Sequence, residues 1–170
     1  MRSYRVLKTK GKPDWDKLEK APIDRLAWTD YIDITAYAQL AYGEDRLYVH
    51  LHADEKDIRA EGFGELDAPC LDSCLEFFFS PSDSEPRYIN IEMNPNLCLY
   101  FGIGTGRNNL VRMLLPGGAQ ALNAECEKSS GSWNLYYELP FSLIRLFFPN
   151  FAPEGRLRAN FYKCGDLTKQ

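Results

Sequence analysis

Residues 72–94 read DSCLEFFFSPSDSEPRYINIEMN, two alternating runs around a polar loop. In a strand, successive side chains point to opposite faces. The first run sets Leu75, Phe77 and Phe79 on one face, and Cys74, Glu76 and Phe78 on the other. The second sets Ile89, Ile91 and Met93 against Tyr88, Asn90, Glu92 and Asn94. Each run has an apolar side suited to a core, so the stretch predicts two strands. Glu76 is flanked by apolar residues, whereas Glu92 lies in a row of amide and phenol groups.

The same alternation recurs on both sides of this stretch. TAYAQLAY (35–42) and RLYVHLHAD (46–54) read as strands joined by a short loop at Gly43-Glu44-Asp45. In the second, Leu47, Val49, Leu51 and Ala53 face a core, while Tyr48, His50 and His52 face away. Two histidines at this spacing can share a metal with Asp54 or Asp57; a solvated polar face is the simpler reading. Further strands are predicted at 3–9 (an edge), 97–104, 120–128, 133–140 and 156–163. In the last, Leu157, Ala159 and Phe161 face inward; Arg156, Arg158, Asn160 and Tyr162 face outward. Asp14 caps a helical turn that carries Trp15 as a packing anchor, and FSLIRLFF (141–148) gives one or two helical turns closed by Pro149. Residues 55–71 form a long charged connection of the kind that often carries binding residues. The glycines of GIGTGRNNL (102–110) suit a hairpin loop, because no helix opens after them as a nucleotide fingerprint requires. About nine or more strands with only short helical turns define an all-β, jelly-roll-type β-sandwich, expected as a single domain over residues 1–170.

Composition narrows the function. A net charge of −4 with scattered basic residues argues against nucleic acid, which requires a clustered basic face. No apolar run approaches the length of a membrane span. MRSYRVLKTKGK has no apolar signal region, so a cytoplasmic location is expected unless a leader has been removed. Five cysteines without paired spacing suit reduced structural thiols rather than a disulfide framework. Cys70 and Cys74 lie four apart, but no second close pair completes a zinc site.

The serial order of PDWDKLEKAPI, AYGEDRLYVHLHAD, LDSCLEFFFSP, RYINIEMNPN, WNLYYELPFSLI and LRANFYK resembles the family 9 carbohydrate-binding modules and their wider family 9-like group. These elements span nearly the whole chain. The resemblance implies a β-sandwich that binds a sugar or glycan without chemistry, and no catalytic or metal residues are assigned. Structural calcium held by loop acids is a further implication, with no ligands placed here. The hydroxyl-binding acid of such modules falls on Glu76. Their stacking tryptophan before the acidic strand falls on Ala68-Pro69-Cys70-Leu71, which has no aromatic residue. A second tryptophan lies beyond the last strand in such modules; either further chain follows Gln170 or this branch does without it.

A sugar site needs flat apolar faces for ring C–H groups and planar polar groups for hydroxyls. Glu76, Asn90, Glu92 and Asn94 supply the polar half; Tyr88, Tyr100 and Trp28 are aromatic candidates. Three other readings remain open at this point. The polar residues could be a buried network tying two strands together. Glu76 and Glu92 could be the carboxylate pair of a glycoside hydrolase, one in an apolar and one in a polar setting. Trp28, Tyr31 and Tyr37 could mark a protein-interaction surface.

Overall fold

The computed structural model of the chain describes residues 2–27 and 33–169. Its strands are β1 (Leu7–Lys8), β2 (Ala21–Pro22), β3 (Thr35–Tyr42), β4 (Arg46–Asp54), β5 (Cys74–Ser80), β6 (Tyr88–Met93), β7 (Leu99–Gly104), β8 (Val111–Arg112), β9 (Glu125–Ser129), β10 (Ser132–Pro140) and β11 (Arg158–Cys164). One sheet has the order β1-β3-β4-β10-β9, with β2 also on β3; the other has the order β11-β5-β6-β7-β8. The chain crosses between sheets after β4, β8 and β10. The result is a jelly-roll-type sandwich. A single α-helix among the described residues, α1 (Phe141–Phe147), follows β10 directly.

The alternation read from the sequence becomes the core. Across the second sheet Leu75 pairs with Met93, Phe77 with Ile91 and Phe79 with Ile89, all buried. Across the first, Trp133 lies beside Ala53, which lies beside Ala36, so small residues make room for the indole. Leu135, Tyr137 and Leu139 continue the layer against Leu51, Val49 and Leu47. Facing sheets bury such rows against each other as the main favourable term in folding.

Four expectations change. Only Leu7–Lys8 of the N-terminal run pairs, and it does so parallel to β3. Residues 120–128 are not one strand: a 3-10 turn spans Gly118–Leu122, and pairing begins at Glu125. The cause lies just upstream, where Gly117 and Gly118 take φ values of 86° and 56° and force a tight turn that buries Ala119 and Leu122. Ala159 is exposed, although its neighbour Phe161 stacks on Phe77 at 5.0 Å. β11 is an edge strand, and the opposite sheet does not cover its first half.

The fourth change concerns the histidines. The segment around Trp15 lies over the outer face of the first sheet, so His50 is buried rather than solvated. Its Nδ1 lies 2.8 Å from Gln39 Oε1, while the Gln39 amide nitrogen donates to the Trp15 and Leu18 carbonyls. The Asn134 amide sits 2.9 Å from His50 Nε2 and 2.8 Å from His52 Nδ1, and His52 Nε2 lies 3.1 Å from Asp54. Every partner is satisfied if His50 donates from Nδ1, Asn134 turns its NH2 toward both rings, and His52 donates to Asp54. The ring nitrogens are thus occupied by neighbours and are not available to share a metal.

A second buried polar group ties the two sheets. Glu55, just past β4, accepts from Trp133 Nε1 at 3.0 Å and from Ser73 Oγ at 2.7 Å. Lys163, pointing inward from β11, meets it at 3.0 Å, with side-chain exposures of 6% and 0%.

Candidate functional site

The outer face of the second sheet carries the predicted polar residues in register. Tyr162 of β11 lies opposite Glu76 of β5, Glu76 opposite Glu92 of β6, and Glu92 opposite Tyr100 of β7. Two acids therefore sit side by side between two tyrosines. The neighbouring row runs Asn160, Phe78, Asn90, Gly102 and Arg112. On the other side Cys164 lies opposite Cys74.

Local packing fixes these groups. Asn90 Nδ2 donates to Glu92 at 2.7 Å, while Asn90 Oδ1 is buried with no protein partner. The Cys164 thiol donates to Glu76 Oε1 at 2.7 Å. Phe78 packs against the rings of Tyr88 and Tyr162 at 5.8 and 5.1 Å. Tyr100 folds over Gly102: a Cβ there would lie 2.6 Å from the ring, so glycine is needed for that close approach. The Arg112 guanidinium lies 5.0 Å from the Tyr100 ring centre and donates to the Leu66 and Leu99 carbonyls at 2.9 Å each.

Burial dominates the electrostatics. It pushes the Glu76 carboxyl up to about 7, aided by the charge of Glu92 and opposed by the Cys164 hydrogen bond. Glu92 is also raised by burial, against the Asn90 hydrogen bond and the charges of Arg112 and Arg107. Burial and the Glu92 charge raise the Tyr88 and Tyr100 phenols. Near neutrality, Glu76 can therefore offer either a donor or an acceptor to a ligand hydroxyl.

Not every predicted residue shares this setting. Asn94 is fully buried, donates to Gly62 O and Asp72 Oδ2, and accepts from the amides of Asn96 and Cys98. Together with Asp72, which also accepts from the Glu61 and Gly62 amides, it pins the 55–71 connection to the sheet. Trp28 and Tyr31 lie outside the described residues. Tyr37 is stacked on His52 at 4.7 Å with the Lys20 ammonium over its ring, so it is not a free apolar platform. Tyr162, Cys164 and Arg112 join the face without having been singled out. Tyr162 was already outward by alternation; what placed it beside Glu76 was the pairing of β11 with β5.

Among the described residues, the one convergence of three or more His, Cys, Asp or Glu side chains is Cys74, Glu76 and Cys164. That set holds one carboxylate and two thiols, a donor set for softer ions than calcium. No helix among the described residues is long and apolar enough to cross a membrane.

The architecture and this face define a β-sandwich with a polar, aromatic-flanked sheet surface. The chain belongs to carbohydrate-binding family 9, whose family model matches residues 11–170. A proposed carbohydrate-binding protein from Bacteroides uniformis shares the fold at 24% identity and a TM-score of 0.75, covering 96% of this chain and 84% of that one. A family 9 carbohydrate-binding module from Caldicellulosiruptor kristjanssonii, in complex with cellotriose, aligns at 12% identity and a TM-score of 0.62, over 95% and 77% of the two chains. A family 9 module from the same organism, in complex with glucose, aligns at 11% identity and a TM-score of 0.59, over 93% and 76%. No curated protein matches the chain.

Proposed function

We propose that the outer face of the second sheet is the ligand face of a non-catalytic sugar-binding module. Glu76, Glu92 and Asn90 take ring hydroxyls, and Tyr88, Tyr100 and Tyr162 supply the apolar faces that a tryptophan before the acidic strand would otherwise give. Asn94 and Asp72 act behind them by fixing the bordering loop. The observation that carries this reading is Asn90 Oδ1, buried and without a protein partner beside an acid pair. A buried acceptor left unmatched costs about 1–3 kcal/mol, and a ligand hydroxyl would satisfy it. Membership of a binding family does not favour the hydrolase alternative for Glu76 and Glu92.

Calorimetric titration with neutral mono- and oligosaccharides tests the proposal, with glucose and cellotriose as first probes because family 9 neighbours hold them. At least one sugar is expected to bind. Asn90→Ala and Glu76→Gln should each weaken that sugar about tenfold or more, the loss of a buried hydrogen bond to a ligand. A folded chain that binds none of the panel, or equal affinity in both variants, would overturn it.

A further inference from the structure

We propose that Cys74, Glu76 and Cys164 form a binding site for one thiophilic divalent cation, with Zn2+ as the physiological class. One ligating atom from each residue lies within 4.8 Å of the others. In a tetrahedral zinc site with Zn–S bonds of about 2.3 Å, neighbouring donors stand about 3.5–4 Å apart. Each donor separation therefore has to change by only about 1 Å to reach that geometry, including the opening of the 2.7 Å Cys164–Glu76 contact. The backbone is already arranged, because Cys74 and Cys164 are direct partners across β5 and β11 and Glu76 is two residues along the same face.

The two thiol protons are already engaged: the Cys164 thiol donates to Glu76 Oε1 at 2.7 Å, and the Cys74 thiol to the Leu75 carbonyl at 3.9 Å. A cation exchanges with those protons in balanced fashion: M2+ enters, two S–H bonds break, two M–S bonds form, and two protons leave. With Glu76 ionised, the cluster carries a net charge of −1 before and after, so the exchange adds no buried charge. Two thiolates select a borderline or soft ion over calcium or magnesium, which separates this site from the calcium expected of loop acids. The fourth position goes to water, as in zinc sites with three protein ligands.

The proposal does not depend on sugar recognition, and its test contains no sugar. Reduced, chelator-treated protein is titrated with Co2+ and followed by absorbance, with circular dichroism to verify folding. One equivalent should raise a thiolate-to-cobalt charge-transfer band that Zn2+ then abolishes. Cys164→Ser, on an edge strand, should remove most of that band, and Glu76→Gln should weaken affinity at least tenfold while leaving it visible. Cys98→Ser and Cys126→Ser should leave titration unchanged. No band at one equivalent would overturn the proposal. So would a band that survives in folded Cys164→Ser or disappears in Cys98→Ser or Cys126→Ser.

Discussion

Lys163 shows how one residue can hold two layers together. Its ammonium enters the sandwich from β11 and meets a Glu55 carboxylate that Trp133 and Ser73 also bind. Buried charges are tolerated when paired and hydrogen-bonded, and removing one partner leaves the other uncompensated. Lys163→Met should lower the unfolding free energy by about 3–5 kcal/mol, read from urea melts. Adding Glu55→Gln should recover part of that loss, because the amide still accepts from Trp133 without a charge. A double variant no more stable than the single one would refute this account. At this scale the sequence was only partly readable. The alternation set Lys163 on the same side as Phe161, but nothing local paired it with an acid more than a hundred residues earlier. Asn94 was read as a ligand group because it extends the Asn90–Glu92 row, yet the sheet ends at Met93 and its amide turns to the loop.

The histidine row on β4 works as a unit and gives the fold a pH dependence. Burial is the main reason that the His50 imidazole is driven down to about 4 from the usual 6.5, and the charges of His52 and Lys20 add to it. Between those values the unfolded chain binds the proton and the folded one does not, so stability falls as pH drops from about 6.5 to about 4. Below that the folded form is protonated too, and this contribution levels off. The loss amounts to at most about 3 kcal/mol. Asp54, held low chiefly by its Thr35 hydrogen bond, adds its own loss further down the carboxylate range. Denaturation midpoints of wild type and His50→Gln from pH 7 to 4 should converge toward acid, with the variant flatter. Parallel curves would show that His50 takes up its proton equally in the folded and unfolded states and would refute this linkage. The strand itself was legible from its period of two, whereas its cover was not. Gln39 and Trp15 reach the histidines from segments that carry no local sign of where they dock.

For the whole molecule, the two sheets differ in how their strands are protected. β3, β4 and β10 pair on both sides in one sheet, as do β5, β6 and β7 in the other, while β1, β8, β9 and β11 are edges. Amide exchange should be slowest in β4, β10, β5 and β6 and fast in β1 and β8; protection of β1 equal to that of β4 would contradict this order. Most of this architecture could be read from Leu75-to-Phe79, Ile89-to-Met93 and their counterparts, because one period of alternation fixes a core face. Which strands lie side by side could not, since pairing partners far apart in sequence leave no periodic trace. β11 is the extreme case, for the Cys164–Glu76 contact spans 88 positions. During synthesis, β5 and Glu55 leave the ribosome long before Lys163, Tyr162 and Cys164 exist. Until then Glu55 lacks its counter-charge, one edge of the acid pair lies open, and the thiol–carboxylate cluster is two-thirds built. Both proposed sites and the tie between the sheets thus come into being in one late event, when the final strand zips onto β5.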